Sequence, residues 1–257
     1  MVPTSYEQEI AAFREKREAR LVSPDGWFAL VDRIWLEEGE NKLVFGSLSL
    51  WGERLRVTVS PAERVTMGGR EVHEVQLRTG DGDRDVLEHE GRRYDAVRVG
   101  PRWSLRVRDP SAAARACFKG IRCFPLDPRW RLDARLEPYE APRRIEIPFT
   151  SDETQELDCP GVLAFDSPAG PVRLEPLLQP GEPRLFLLFT DSTNRTTTYG
   201  GGRFLYVPHP DPSGATVVDF NRSCNPACVF NPLVICPLPP PGNHLPFAIE
   251  AGEKRWP

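Results

Sequence analysis

Residues 27–59 read WFALVDRIWLEEGENKLVFGSLSLWGERLRVTV, in which short apolar runs alternate with turn signals. Glu38-Gly39 and Trp51-Gly52 are two of these turn signals, and Gly68-Gly69 and Asp81-Gly82 follow further along. Short runs between such turns are typical of antiparallel strands. The pattern continues through WSLRVRD at residues 103–109, and it predicts a β-meander or sandwich of about 85 residues.

The composition narrows the class of protein. The chain has 257 residues, 40% of them hydrophobic, and a net charge of −4. This length supports one or two globular cores, and the charge leaves no basic excess for nucleic acid. Proline is unusually frequent: 20 of the 27 prolines lie from Pro138 onward, so the second half is not expected to be a helical bundle.

The N-terminal residues and the cysteines indicate the cellular compartment of the protein. Residues 1–20 mix acidic and basic side chains where a secretory signal has an apolar core, and the longest apolar run, at residues 185–189, is too short to span a membrane. The six cysteines are then expected to be reduced thiols, because the cytosol is reducing. The sequence predicts a cytoplasmic protein with no membrane partner.

Residues 1–20 are expected to form an N-terminal helix. Thr4-x-x-Glu7 and Ser5-x-x-Gln8 both match the capping box, in which two side chains satisfy free backbone donors at a helix start. One face of this helix carries a stripe of apolar and aromatic residues at helical spacing, namely Tyr6, Ile10 and Phe13. The stripe predicts a docking face.

The remaining chain divides into three predicted parts. Residues 21–110 form the first β lobe, and residues 111–140 form a connector. In the connector, Asp109-Pro110 predicts a cap for a short helix over residues 111–118. Residues 141–257 form a second β lobe, a β-barrel or sandwich. Beyond Asn221 the alternation fails and prolines fix the backbone, which predicts a long ordered proline-rich loop.

The densest group of polar, glycine and cysteine residues begins with TTTYGGGRFLYVPHP at residues 196–210. The three glycines stand between strand-like runs, so they do not match a P-loop, which precedes a helix. Either they form a tight bend where two backbones approach, or they present amides to a ligand. On the second interpretation a small anionic ligand is bound by Arg203 and its neighbours, with binding residues Tyr199, Gly201, Gly202, Arg203, Asn221 and Asn225.

Two catalytic arrangements are available in the same region. In the first, Cys228 is a nucleophile, His244 its base, and Asp219 or Asn221 orients the imidazole. In the second, Asp219 or Glu253 is a base, with Tyr199 and Arg203 stabilising charge. The non-catalytic interpretation is that Asp219 and Asn221 cap backbone amides in a turn, and that Glu253-Lys254 is a solvated pair. The predicted catalytic residues are Asp219, Cys228 and His244.

The cysteines and histidines also allow less reactive roles. Cys224, Cys228, Cys236 and His244 could hold structural zinc, but the Cys-x2-Cys knuckle is missing, so no metal and no cofactor are predicted. Without metal, Cys228 and Cys236 are expected to be small buried hydrophobes. The other cysteines are interpreted as packing residues and the other histidines as surface residues: Cys117, Cys123 and Cys159; His73, His89 and His209.

The sequence resembles the prokaryotic domain of unknown function 1684 family. The resemblance rests on Tyr199-Gly-Gly-Gly-Arg-Phe-Leu205, Asp219-Phe-Asn-Arg222, Asn225-Pro-x-Cys228, Cys236-Pro-x-Pro-Pro240, Asn243-x-Leu-Pro246 and Ala251-Gly-Glu-Lys254, together with residues 27–41 and 109–131. It extends over nearly the whole chain. The family has no established activity.

The resemblance also implies a forkhead-associated-like β-sandwich for the first lobe. Met67-Gly68-Gly69 stands where such domains place an Asn-Gly turn, and the residues that grip a phosphothreonine are missing. No phosphopeptide partner is therefore expected. Two functions remain open: a small-molecule-binding, hydrolase-like protein with an anion pocket in the C-terminal lobe, or a non-catalytic interaction or structural module with a rigid proline-rich lid.

Overall fold

The computed structural model describes residues 5–79 and 84–256. Strands dominate these residues and one long helix lies near the N-terminus, so the predicted mainly β class with an N-terminal helix is confirmed. The chain divides into two compact units. The sandwich unit consists of residues 20–118, and the C-terminal unit consists of residues 1–19 together with residues 119–257.

The helix α1 (Tyr6–Val22) begins with one of the two predicted capping boxes. The Ser5 amide donates to Gln8 Oε1 at 2.9 Å, and the Gln8 amide donates to Ser5 Oγ at 3.3 Å. The Thr4-Glu7 pattern includes Thr4, which lies outside the described residues. Ile10 is buried, so the predicted docking stripe is packed.

The sandwich unit is built from antiparallel strands. They are β1 (Leu30–Leu36), β2 (Gly39–Leu43), β3 (Gly46–Trp51), β4 (Arg54–Val59), β5 (Val65–Met67), β6 (Arg70–Val72), β7 (Glu74–Leu77), β8 (Leu87–His89), β9 (Arg92–Val99) and β10 (Arg102–Arg108). The described strands form one sheet in the order β1-β10-β9-β8-β5-β6 and another in the order β2-β3-β4-β7. Both sheets contribute to one hydrophobic core.

The predicted turns of this unit are confirmed where they are described. Gly68 and Gly69 join β5 to β6 at φ +57° and +77°, the left-handed values that a tight hairpin turn favours. Trp51-Gly52 joins β3 to β4. The predicted turn at Asp81-Gly82 lies outside the described residues.

Two stretches with a strand-like sequence each fold into two strands with a turn between them. Residues 42–51 turn at Val44-Phe45, and Gly46 (φ +149°) follows the turn at a point where a side chain would lie 2.1 Å from the Thr58 carbonyl oxygen. Residues 86–99 turn at Glu90-Gly91, where both residues have positive φ.

The predicted helix over residues 111–118 is reduced to α2 (Ala113–Ala116). Asp109 does not cap it, because its carboxylate accepts bonds from the Ser111 amide and hydroxyl instead. Ala112 precedes the helix and offers no side-chain cap. This stretch therefore lacks the local support that a longer helix needs.

The C-terminal unit is a half-barrel of antiparallel strands. They are β11 (Arg131–Pro148), β12 (Thr154–Ser167), β13 (Gly170–Leu174), β14 (Leu185–Phe189), β15 (Arg203–Val207) and β16 (Ala215–Asp219). The four-stranded sheet has the order β13-β12-β11-β16, and β14 pairs with β15. β11 is one long strand, and its register with β12 shifts between Pro138 and Arg143.

After β16 the chain forms a segment with short 3-10 helices and isolated bridges, here called the C-terminal segment (residues 220–256). Its side chains Phe220, Leu245 and Ile249 join the core between the two sheets. The segment is thus packed against the strands along its length. Among residues 5–79 and 84–256, no helix is long and apolar enough to cross a bilayer.

Several minor predictions are corrected by burial. His89 is buried and contacts Glu63 at 2.8 Å, whereas it was expected at the surface. His73 and His209 are exposed, as predicted. Cys117 is exposed rather than packed, while Cys159 is buried.

Candidate functional site

Arg203 is the first residue of β15, and its side chain is completely buried. Its guanidinium forms an ion pair with Asp191 and donates to the carbonyls of Ile249 and Ala251. Burial lowers the pKa of Arg203, and the charge of Asp191 opposes that shift. The predicted fork for an external anion is therefore wrong: Arg203 holds the C-terminal segment against β15.

At the glycines before Arg203, two parts of the backbone lie close together. This agrees with the first of the two interpretations, a tight bend. At Gly202 (φ +92°) a side chain would lie 2.5 Å from Pro239 Cγ and 2.7 Å from the Phe189 carbonyl oxygen. At Gly201 it would lie 2.6 Å from the ring of Tyr199. The glycines thus make room for the Tyr199 ring and for Pro239, and the predicted role of Gly201 and Gly202 in binding a ligand has no support in these contacts.

Asp219 and Asn221 lie at the end of β16 and contact the N-terminal helix. The Tyr6 hydroxyl donates to Asp219 Oδ1 at 2.8 Å, and Asn221 Nδ2 donates to the Tyr6 oxygen at 3.0 Å. The Asp219 carboxylate also accepts from the Asn221 amide at 3.1 Å, the capping turn that was the non-catalytic alternative. Burial and the hydrogen bond to Asp219 raise the pKa of Tyr6.

Asn225 and Glu253 belong to the same contact with helix α1. Arg17 pairs with Glu253 at 3.0 Å and donates to the Asn225 carbonyl at 2.9 Å. The other Glu253 oxygen accepts from the Asn225 amide at 2.7 Å. Only 3% of Glu253 is exposed, so its predicted solvated pairing with Lys254 is wrong.

A small cavity of about 10 Å³ lies beside this contact. Arg14, Arg17, Cys123, Ser223 and Glu253 are among its lining residues. The buried Ser223 hydroxyl has no partner among the described groups. A cavity of this size accommodates one water molecule, so the anion pocket expected in this unit does not form here.

His244 is exposed and follows the last 3-10 helix of the C-terminal segment. Its Nδ1 lies 3.0 Å from Thr190 Oγ1. Among the hydrogen bonds of the described residues, none joins His244 to Cys228 or to Asp219. The contacts of these three side chains go to different groups: His244 contacts Thr190, Asp219 accepts from Tyr6, and Cys228 lies beside Tyr199.

Cys228 is instead next to Cys236. The Cys228 amide donates to Cys236 Sγ at 3.2 Å. The Tyr199 hydroxyl lies 4.0 Å from Cys228 Sγ. Cys228 is half-buried and Cys236 is buried. We call Cys228 and Cys236 the thiol pair.

The backbone fixes each member of the thiol pair separately. Cys228 lies in the 3-10 turn Ala227–Val229, which follows Pro226. Cys236 lies opposite the end of β11, where its amide donates to Thr150 Oγ1 at 3.1 Å and its carbonyl accepts from the Thr150 amide at 2.9 Å. The prolines around both residues restrict φ further.

The surroundings of the two thiols shift their pKa values in opposite directions. The hydrogen bond from the Cys236 thiol, together with the Tyr199 hydroxyl and nearby backbone amides, lowers the pKa of Cys228 to about 7, and burial opposes this shift. The hydrogen bond to Cys228 and burial raise the pKa of Cys236. Burial, followed by the negative charge on Cys228, raises the pKa of Tyr199 to about 12, so its phenol remains a donor.

The zinc alternative has no support in the geometry. Cys224 Sγ donates to the Arg222 carbonyl at 3.3 Å, and burial raises the pKa of this thiol. In the part of the chain that the structure describes, no three His, Cys, Asp or Glu side chains are grouped as metal ligands.

The predicted site residues therefore separate into distinct contacts. Tyr199 and Cys228 come together with Cys236, which was predicted only as packing or as part of the zinc alternative. Asp219, Asn221 and Asn225 face helix α1. The role of Arg17 was missed, since no local pattern links it to a residue 236 positions away.

Fold and site together define a mainly β protein whose C-terminal unit positions a pair of thiols beside a tyrosine. The family model described as "Protein of unknown function (DUF1684)" matches residues 116–254, more than half of the chain. The chain belongs to this family, and the resemblance found in the sequence is confirmed. The match begins at Ala116, so residues 27–41 and 109–115 of that resemblance lie outside it.

Among solved structures, the chain is similar to the solution NMR structure of an uncharacterized protein of Haloarcula marismortui. The two are 32% identical, and the similarity covers 55% of this chain and 79% of that chain, with a TM-score of 0.46. Among curated proteins, none matches this chain.

Proposed function

We propose that this protein binds a small molecule and acts on it through the thiolate of Cys228. The observation that carries the proposal is that the Tyr199 hydroxyl lies 4.0 Å from the sulfur of half-buried Cys228, while Cys236 Sγ lies 3.2 Å from the Cys228 amide nitrogen. Hydrogen bonds of this kind favour the thiolate, which is the nucleophilic form of cysteine. His244 and Asp219 have no part in the proposal, because both contact other groups.

The proposed ligand is a small electrophile rather than an anion. Arg203 was the reason to expect an anion, and its guanidinium is occupied by Asp191 and two backbone carbonyls. The proline-rich stretch of residues 226–246 is proposed to hold the thiol pair in one shape, since prolines flank both cysteines.

The pKa of Cys228 determines how much of its thiol is the reactive thiolate at a given pH. With a pKa of about 7, roughly half of Cys228 is thiolate at neutral pH, compared with about 3% for an ordinary cysteine of pKa 8.5. A less basic thiolate is intrinsically slower by about fivefold over this range. The pH midpoint of reaction is therefore a better test than the rate.

The test is alkylation of the full chain with iodoacetamide from about pH 5 to pH 10, followed by peptide mass spectrometry. We expect Cys228 modification to be half-maximal at about pH 7. Tyr199→Phe removes one donor and should raise this midpoint by roughly half a unit to one unit.

Tyr139→Phe is the matched control, because the Tyr139 hydroxyl donates to Glu175 and not to a thiol. It should leave the Cys228 midpoint unchanged. A midpoint above about 8.5 for wild-type Cys228, or no modification of Cys228 in the folded chain, contradicts the proposed function.

A second candidate is a non-catalytic interaction or structural module. It is supported by three hydrogen bonds inside the C-terminal unit: Arg203 Nη2 donates to Asp191, Asp219 Oδ1 accepts from Tyr6, and Asn225 Nδ2 donates to the Lys254 carbonyl. On this alternative the proline-rich stretch is only a rigid lid. The same alkylation profile separates the two, since a structural thiol would show an ordinary midpoint.

The sandwich unit is proposed to be forkhead-associated-like without a phosphopeptide site. Two sheets around one core support the first part, and the Gly68-Gly69 turn in place of an Asn-Gly turn supports the second. A cytoplasmic location is proposed as well, and all six cysteines are free thiols, in keeping with a reducing compartment.

A further inference from the structure

The thiol pair combines two features that thiol-disulfide exchange requires. Cys228 is partly exposed and Cys236 is held beside it, because the Cys228 amide donates to Cys236 Sγ at 3.2 Å. Exchange proceeds through a mixed disulfide that a second thiol then resolves. The two cysteines are already adjacent, so resolution needs no large movement of the chain.

The exposure of the two residues assigns their roles. Cys228 is half-buried, whereas Cys236 is only 3% exposed. An incoming disulfide therefore reaches Cys228 first. Cys236 is fixed to Thr150 by hydrogen bonds of its backbone amide and carbonyl, so it remains next to the bond that forms on Cys228.

We propose that the thiol pair exchanges electrons with small-molecule disulfides, with Cys228 as the attacking thiol and Cys236 as the resolving thiol. This inference rests on the proposed role of Cys228 as nucleophile. It adds the class of substrate and a role for Cys236.

The steps balance in atoms and electrons. The Cys228 thiolate attacks one sulfur of R–S–S–R, forming a bond from Cys228 to sulfur and releasing one RS⁻. That RS⁻ takes the proton of Cys236, and the resulting Cys236 thiolate attacks Cys228 Sγ, forming the Cys228–Cys236 disulfide and releasing the second RS⁻. The pair loses two electrons and the substrate gains two. One RSH and one RS⁻ are formed in total.

The experiment treats the reduced full chain with oxidised glutathione and maps every cysteine by peptide mass spectrometry. We expect wild type to lose two hydrogens and to yield a Cys228–Cys236 crosslinked peptide, without a lasting glutathione adduct on Cys228. Exposed Cys117 is the internal reference for adduct formation that cannot be resolved in this way.

Cys236→Ser is the matched variant, because its hydroxyl can still donate to Cys228 but cannot form a disulfide. We expect a lasting glutathione adduct on Cys228 and no crosslink. The cysteine map of the wild-type protein is interpretable whether or not Cys236→Ser folds. A thermal melt of Cys236→Ser shows whether the variant is folded, and its adduct result is used only if it is.

Two results overturn the inference while leaving the proposed function intact. One is a wild-type chain that alkylates at Cys228 with a midpoint near pH 7 but keeps a lasting glutathione adduct there. The other is the same alkylation with no reaction of Cys228 toward oxidised glutathione in wild type and in Cys236→Ser. If Cys228 is not alkylated in the folded chain, or is alkylated only with a midpoint above about pH 8.5, the proposed function is contradicted instead.

Discussion

Arg203 has a buried role that its neighbours in the sequence do not distinguish from a role in binding an anion. An arginine that follows three glycines and begins a strand fits an anion fork as well as a buried ion pair, since both use the same bidentate group. The choice depends on Asp191, twelve positions earlier, and on the carbonyls of Ile249 and Ala251. Those partners are brought together only by the fold.

Replacing Arg203 alone should destabilise the protein strongly. Arg203→Met leaves the completely buried Asp191 without its partner, and such a loss costs about 3–5 kcal/mol of unfolding free energy. Arg203→Met combined with Asp191→Asn removes both charges and should lose markedly less. Urea unfolding measures both variants, and equal losses below about 1 kcal/mol would show that the pair does not hold the C-terminal segment.

For helices, strands and turns, the features that depend on neighbouring residues were predicted correctly. Those that depend on residues distant in the sequence were not. The Ser5-Gln8 capping box and the Gly68-Gly69 turn are decided by neighbouring residues, and both were found where the sequence placed them. The helix over residues 111–118 was overpredicted, because Asp109 bonds to Ser111 rather than to a helix amide. The length of β11 depends on pairing with both β12 and β16, which no local pattern contains.

The glycine turn before β15 gives a test at this scale. Gly202→Ala adds the strain of a positive φ and a clash with the Phe189 carbonyl and Pro239, whereas Gly170→Ala adds positive φ with open space around it. We expect Gly202→Ala to cost about 1–3 kcal/mol more than Gly170→Ala in urea unfolding. Equal costs would mean that the close approach to Pro239 does not matter.

Across the whole molecule, the sequence predicted the fold class and the family, and it located the important segment, but it assigned the wrong partners within that segment. Residues 199–253 do carry the signature, and their polar groups mostly fix the C-terminal segment to β15 and to helix α1. The proposed chemistry is assigned to the thiol pair in the same segment. Spacing alone could not show that Cys228 contacts Cys236 rather than His244, because the intervening backbone is irregular.

In the proposed mechanism Cys228 loses its proton at about pH 7, while Cys236 keeps its own. Carbon NMR of the full chain labelled at cysteine Cβ measures both ionisations, with the two signals assigned from Cys228→Ser and Cys236→Ser. We expect the Cys228 signal to titrate at about pH 7 and the Cys236 signal to show no titration of its own below about pH 10. Independent titration of both signals between about pH 8 and pH 9, as for ordinary thiols, would contradict the account.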